Sequence, residues 1–262
     1  MIMKTKNRYF KNIEFSNHKL GLYDVKTFIK DWGSEPRRGV AEGRSRIVKK
    51  NGDKVLEITI PRGTLSDGGS FWRLLFPKDF LNVTFEYDVL FGKNFDFVRG
   101  GKLPGIGGGL SNGCGATPDE YQNGFSARLM WRVLNFHNKH LIKDSHKAYL
   151  VQYMYYPDRH PSKKFGEDLI YRYKGRKIFV KSNKWYKLKT NIKLSENPKR
   201  KDTITAYVNG KMVLNKKLNL RKKTTYGINQ IMFSLFFGGG EPSWATKKKE
   251  KIYFKKFIIE GK

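Results

Sequence analysis

The feature that most limits how this chain can fold is a two-residue rhythm that returns along its length. In Val83-Thr-Phe-Glu-Tyr-Asp-Val-Leu-Phe91, the residues Val83, Phe85, Tyr87, Val89 and Phe91 fall on one face, and Thr84, Glu86 and Asp88 on the other. Successive side chains of a strand point to opposite sides, so this is the period of a half-buried β-strand. Phe125–Val133 repeats it, with Phe125, Ala127, Leu129, Trp131 and Val133 opposing Ser126, Arg128, Met130 and Arg132. Tyr149–Tyr156 does so again, with Tyr149, Val151, Tyr153 and Tyr155 opposing Leu150, Gln152, Met154 and Tyr156. Further strands are expected at Val55–Ile60, Phe71–Phe76, Trp185–Leu194, Ile228–Phe237 and Lys251–Ile259. In Trp185–Leu194, lysine alternates with apolar or β-branched residues. Asn209-Gly210 between Thr203–Val208 and Lys211–Leu214 is a type I′ hairpin signal, and Asn51-Gly52 is another turn signal. No amphipathic helix of ten or more residues and no internal repeat stands out. Short strands separated by turns predict an all-β, single-domain sandwich or jelly roll. Residues 1–25 read as an N-terminal arm or edge strand, and residues 26–262 as the β-domain.

Composition narrows the partners. Lys and Arg number 53 against 23 Asp and Glu, a formal net charge of +30 over 262 residues. Such a field concentrates polyanions. Nucleic acid, an anionic membrane and an acidic polysaccharide all satisfy it. No apolar run of about 18 residues exists to cross a membrane as a helix. The N-terminus, Met1-Ile-Met-Lys-Thr-Lys-Asn-Arg8, lacks the apolar segment of a secretory signal. The single cysteine, Cys114, excludes an internal disulfide and any CxxC motif.

Several chemistries lack their motifs. A phosphate loop needs GxxxxGK[ST], but Lys102 is followed by Leu103. His137 and His140 have HxxH spacing with His146 nearby, yet no carboxylate or third ligand falls in pattern, so no metal site is expected. The ExDxxE arrangement of jelly-roll glycosidases is absent, which argues against hydrolysis by paired carboxylates. RNP1-like aromatic platforms are absent too, and no nucleic-acid partner is expected.

What remains is a basic and phenolic set. Phe95-Asp-Phe-Val-Arg-Gly-Gly-Lys-Leu-Pro-Gly-Ile-Gly-Gly-Gly109 carries six glycines and one lysine, Lys102. It reads as a strand end entering a glycine-rich turn that continues to about Gly124. Lys102, Ser126, Arg128, Arg132, Gln152, Tyr153 and Tyr155 then fall on this turn and on neighbouring strands. The C5 proton of a uronic acid becomes removable only when the adjacent carboxylate is neutralised. β-Elimination needs a cation on that carboxylate, a base near C5 and an acid near the glycosidic oxygen. Lysine, arginine and tyrosine can supply all three without a metal, provided a crowded positive field lowers the tyrosine or lysine pKa.

Three segments carry a family resemblance: Phe95–Gly105, Phe125-Ser-Ala-Arg-Leu-Met-Trp-Arg132 and Tyr153-Met-Tyr-Tyr-Pro-Asp158. Together they resemble the polysaccharide lyases of family 14 and the related glucuronan lyases of family 20. Phe233-Ser-Leu-Phe-Phe-Gly-Gly-Gly-Glu-Pro-Ser-Trp244 and Ile252-Tyr-Phe-Lys-Lys-Phe257 resemble the C-terminal strands of that group. The resemblance runs from about Leu56 to the C-terminus. It implies a concanavalin-like jelly roll with a concave cationic cleft and a lyase acting on alginate or glucuronate polymers. It places Lys102, Ser126, Arg128, Tyr153 and Tyr155 in catalysis. Arg128 would chiefly neutralise the carboxylate, Lys102 would be base or neutraliser, and Tyr153 or Tyr155 would be the acid or base. Arg99, Arg132 and Gln152 are expected to bind substrate. No cofactor is required on this reading, though assistance by a divalent ion is compatible with it. The expected partner is an acidic polysaccharide, bound by a monomer. The charge and the missing signal also resemble lyases of viruses that infect Chlorella-like algae, which implies action on a host cell wall or attachment to the virion. The alternative is a non-catalytic jelly-roll module that binds acidic polysaccharide through the same groove.

Overall fold

The computed structural model describes residues 8–110, 123–162, 165–197 and 199–262. Cys114 and the turn expected to reach Gly124 therefore lie largely outside the described residues. In chain order the strands are β1 (Tyr9–Glu14), β2 (Gly21–Leu22), β3 (Ser45–Lys50), β4 (Asp53–Ile60), β5 (Ser70–Phe80) and β6 (Asn82–Phe91). There follow β7 (Gly100–Gly109), β8 (Gly124–Arg132), β9 (Lys147–Tyr155), β10 (Glu167–Ile170), β11 (Arg172–Tyr173) and β12 (Arg176–Lys177). The last are β13 (Phe179–Lys181), β14 (Trp185–Lys193), β15 (Asp202–Val208), β16 (Lys211–Leu218), β17 (Ile228–Phe237) and β18 (Glu250–Gly261). Among the described residues one α-helix, α1 (Val25–Trp32), sits between β2 and β3.

Two antiparallel sheets hold almost all of these strands. The first runs β16-β15-β14-β6-β18-β4-β3-β2, with β1 also paired to β18. The second runs β10-β9-β8-β7-β17-β5, with β13 also paired to β9. The strands expected from alternation are all present, and they form a jelly-roll sandwich. Both Asn-Gly pairs make hairpin turns in the left-handed region, with φ of 51° and 87° at Asn51-Gly52 and 50° and 79° at Asn209-Gly210. Apolar faces meet between the sheets. Phe233 of β17 meets Phe254 of β18 edge-on at 5.3 Å, and Trp131 of β8 meets Phe91 of β6 edge-on at 5.4 Å.

The helix was not expected, because its eight residues are shorter than a ten-residue periodic window. Its ends nevertheless carry clear signals. Asp24 accepts from the Thr27 N–H at 2.7 Å, and Gly33 closes it at φ 69°. It buries Phe28 and Trp32, both against Trp72 at 5.0 and 5.2 Å.

The glycine-rich turn is the main correction. Gly100–Gly109 is a ten-residue strand in the middle of the second sheet, between β8 and β17. The glycines serve close approach rather than chain reversal. A Cβ on Gly101 would lie 2.0 Å from the Trp131 ring, and one on Gly105 would lie 2.1 Å from the Ala127 carbonyl. Pro104, which has no N–H to give, coincides with a register shift between Leu103 and Gly105. Its carbonyl accepts from the Tyr87 hydroxyl at 3.1 Å, tying this strand to the opposite sheet.

Gly105→Ala is expected to destabilise the protein by roughly 1–3 kcal/mol, because backbone atoms of β8 cannot move aside. At Gly238 the nearest obstacle is the flexible tip of Met130 at 3.1 Å, so Gly238→Ala should stay within about 0.5 kcal/mol of wild type. Denaturant midpoints of the two variants check the contrast.

Candidate active site

The second sheet has one face in the core and one turned outward, and strand parity decides which residues go where. Phe125, Ala127, Leu129 and Trp131 of β8 enter the core, so Ser126, Arg128, Met130 and Arg132 line the outer face. On β9, Leu150 and Met154 enter the core, while Tyr149, Val151, Tyr153 and Tyr155 join Met130 in a separate outer cluster. Register then sets neighbours. Arg128 lies opposite Tyr153, and Ser126 opposite Tyr155. Lys102 of β7 lies opposite Met130 on one side and Phe236 of β17 on the other.

This brings most of the expected residues together. The Lys102 ammonium sits 5.1 Å from the Phe236 ring and 5.3 Å from the Tyr153 ring. The Tyr153 and Tyr155 rings meet edge-on at 5.4 Å, with their hydroxyls 3.3 Å apart. The Arg128 guanidinium lies 5.9 Å from the Tyr155 ring, and that of Arg132 lies 5.4 Å from the Tyr153 ring. Arg132 is held in turn by a two-pronged ion pair to Asp168 of β10 at 3.0 and 3.2 Å. Lys102, Arg128 and Arg132 are each at most 7% exposed, and Ser126 is fully buried. Cations packed against ring faces at this depth are attracted by the ring quadrupole.

Two expected substrate contacts are placed differently. Gln152 is on the opposite face of β9 from the tyrosines. It points between the sheets, where its Oε1 accepts from Tyr171 at 2.7 Å and Thr190 at 3.3 Å. Adjacent strand residues cannot share a face, so Gln152 is a core group. Arg99 donates to the carbonyls of Phe136 (2.8 Å) and His137 (2.9 Å) and to Ser243 (2.6 Å) and Glu241 (3.2 Å). Its guanidinium also lies 4.4 Å from the Trp244 ring. It braces two loops beside the site. Among the described residues no group of three or more His, Cys, Asp or Glu converges as a metal site would, and His137 lies in one of the loops Arg99 braces.

Sequence reasoning missed two residues. Arg159, 2% exposed, places its guanidinium 4.7 Å from the Tyr155 ring. It follows Tyr156-Pro-Asp158 directly, so its closeness to the tyrosine strand was the available signal. The Gly166 N–H donates to the Tyr153 hydroxyl at 3.0 Å, and a Cβ there would lie 2.8 Å from the Tyr153 ring. Nothing local in the sequence marks it.

The expected lowering of tyrosine pKa is reversed at Tyr153. Burial pushes this phenol up, the neighbouring Tyr155 adds to the rise, and Arg132 and the Gly166 N–H offset it only in part. Tyr153 keeps its proton at neutral pH.

Comparison with known proteins identifies the fold and the family. The fold is that of solved alginate lyases. Alginate lyase Aly36B superposes with a TM-score of 0.81 over 95% of this chain and 96% of that one, at 23% identity. Variants of Aly36B have been captured with alginate tetrasaccharide and trisaccharide. Alginate lyase vAL-1 from a Chlorella virus gives a TM-score of 0.63 at 21% identity, over 84% of this chain and 89% of that one. Exolysin of Paramecium bursaria Chlorella virus 1 is 28% identical over 168 residues, which is 59% of this chain and 25% of that protein. The chain thus spans about a quarter of the length of that curated relative. The model of the polysaccharide lyase 14 family matches residues 48–257, and the chain belongs to that family.

Gln152→Ala should lower stability by about 1–3 kcal/mol, by stranding the Tyr171 and Thr190 hydroxyls, and leave KM unchanged. Denaturant unfolding beside steady-state kinetics checks this. A second outcome concerns pH. Burial pushes Tyr9 and Tyr253 up to about 12 and also raises Tyr87, Tyr153 and Tyr171 from the ordinary 10.0. Above that ordinary value the unfolded chain loses these protons while the folded chain keeps them. Stability is therefore complete below about pH 10 and falls as pH rises through 12. Unfolding free energies at about pH 9 and about pH 11, with tyrosinate absorbance, measure the loss.

Proposed function

We propose that this chain cleaves a uronic-acid polymer by β-elimination, as a monomer acting on alginate or a glucuronate-containing wall polysaccharide. One observation carries the reading. Lys102, Arg128 and Arg132 share one sheet face with two tyrosine hydroxyls 3.3 Å apart. Family membership and the alginate-bound relatives support it.

The steps follow from the residue types. Arg128 receives the uronate carboxylate and neutralises it, which acidifies the C5 proton. A base removes that proton, the electron pair becomes the C4=C5 double bond, and the C4–O glycosidic bond breaks. The departing oxygen takes a proton from an acid. Tyr153, which burial keeps protonated, is the donor. The acceptor is Lys102 or Tyr155, the remaining groups beside it. Ser126, opposite Tyr155, forms the buried floor beneath that pair. Arg132 sets the position of Tyr153 and is itself set by Asp168. Relatives from viruses of Chlorella make an algal cell wall the setting this reading implies.

Incubation with a panel of uronic-acid polymers should release products bearing the ultraviolet absorbance of an unsaturated uronate, and mass analysis should show no added water. Lys102→Ala and Tyr153→Phe should each lower kcat by about 10²–10⁴-fold. Binding to these polymers with no new double bond would instead mark a non-catalytic module. Normal turnover by Lys102→Ala would remove Lys102 from the mechanism.

A further inference from the structure

The lysine alternation of Trp185–Leu194 takes no part in the active site. It belongs to β14, in the middle of the other sheet, and its lysines point away from the core. There they line a groove of about 520 Å³ formed by Thr84, Glu86, Lys187, Lys189, Asn191, Thr205, Tyr207 and Gly210. That volume is in the range that holds a small ligand. We propose that this groove is a second binding site for acidic polysaccharide, one that anchors the polymer without cleaving it. The choice of uronate as ligand rests on the reading of the active face; the groove and its chemistry do not.

Register builds the groove. Lys189 lies opposite Tyr207 of β15 on one side and Glu86 of β6 on the other. Asn191 lies opposite Thr205 and Thr84 in the next outward row. One wall is the end of the β15–β16 hairpin. Asn209 docks it on β14 by accepting from the Lys187 N–H and donating to the Lys187 carbonyl, both at 2.8 Å. The register shift between Ala206 and Tyr207 bends this strand at the wall.

The lining has the chemistry of an acidic sugar site. Tyr207 offers a half-buried ring on which the C–H face of a pyranose can rest. Asn191 donates its amide to Asn82 at 2.7 Å and to the Thr84 hydroxyl at 2.9 Å, which fixes it in the groove with its Oδ1 and the Thr84 and Thr205 hydroxyls on the lining. Lys187 and Lys189 supply the charge, with side chains 48% and 44% exposed. Glu86 opposes them, but its carboxylate is 3.8 and 3.9 Å from the two ammonium groups, beyond hydrogen-bond reach. Asp88, the next acid along β6, faces Lys187, Lys255 and Lys256. Ammonium groups therefore outnumber carboxylates on this face, and an incoming uronate can take the N–H donors that Glu86 does not engage. A merely solvating face would need neither the aromatic ring nor the hairpin wall. The core separates this groove from Lys102 and Tyr153, so the polymer segment bound here is not the segment being cleaved. Two sites on one rigid sandwich would hold the enzyme on a polymer through successive cuts.

The test measures retention and turnover separately. In a Lys102→Ala background, which slows digestion, retention on resin-bound alginate and glucuronan is compared for Tyr207→Ala, for Lys187→Gln/Lys189→Gln, and for the control Lys222→Gln/Lys223→Gln. With Lys102 intact, the same groups are tested on short uronate oligosaccharides. The groove variants should weaken retention by roughly tenfold, the control should not, and oligosaccharide turnover should stay within about twofold of wild type. Unchanged retention in both groove variants would overturn the proposal. So would an equal loss in the control, which would assign retention to the overall charge, or an equal groove-dependent loss on DNA–cellulose, which would assign it to polyanions at large. If the intact chain makes no unsaturated product from any polymer, the lyase reading fails while the retention comparison still decides the groove. The lysines are exposed, so their substitution tests the site even where Tyr207→Ala disturbs folding.

Discussion

Everything about this molecule's active face depends on holding several cations close together under poor hydration. Lys102, Arg128, Arg132 and Arg159 are all nearly buried within a few strands of one another. Like charges at such depth repel and lose water, and both costs rise as the dielectric falls. The protein offsets them in three ways. Ring faces of Phe136, Tyr153, Tyr155, Phe236 and Trp244 receive the cations. The Asp168 carboxylate clamps Arg132 in a fixed plane. Strand register fixes every backbone from which the side chains project. The offset is partial, and a positive field remains on this face.

That arrangement requires a rigid sheet, and the sheet takes its rigidity from its other face. Trp131 is buried between Lys102's strand and the opposite layer, touching Phe91, Phe95 and Phe237, and its ring nitrogen donates to the Phe97 carbonyl at 3.1 Å. The ring has room only because Gly101 lacks a side chain. The same glycine strand therefore does two things. It carries Lys102 outward, and it lets the core close up behind it.

Alternation made the strands legible, because a half-buried strand writes its two environments directly into the sequence. Alternation puts Arg128, Tyr153 and Tyr155 on neighbouring strands, and the pairing of those strands brings them to one face. The same parity rule had already separated Gln152 from Tyr153, and grouping them together ignored it. Gly100–Gly109 read as a turn because glycine content signals backbone freedom and close packing alike. Only the bulky partners Trp131 and Phe125, distant in sequence, decide between the two. Helix α1 was too short for its period to show above the background of strands. Arg159 and Gly166 join the site through loop geometry, which has no periodicity to read.

The direction of the Tyr153 shift was beyond sequence reasoning for a different reason. A net charge of +30 suggests that a phenolate would be welcome anywhere on this protein. Most of that charge lies on solvated lysines, where water screens it within about a Debye length. Desolvation, by contrast, acts at the group itself, and at Tyr153 it outweighs the nearby Arg132. A bound uronate would displace further water and bring its own negative charge, and both changes strengthen the hold on the proton. On the proposed lyase reading, the phenol stays a donor until its partner oxygen becomes more basic than itself, as the glycosidic bond breaks. On that proposal, burial times the proton transfer and the cations select the substrate that receives the proton.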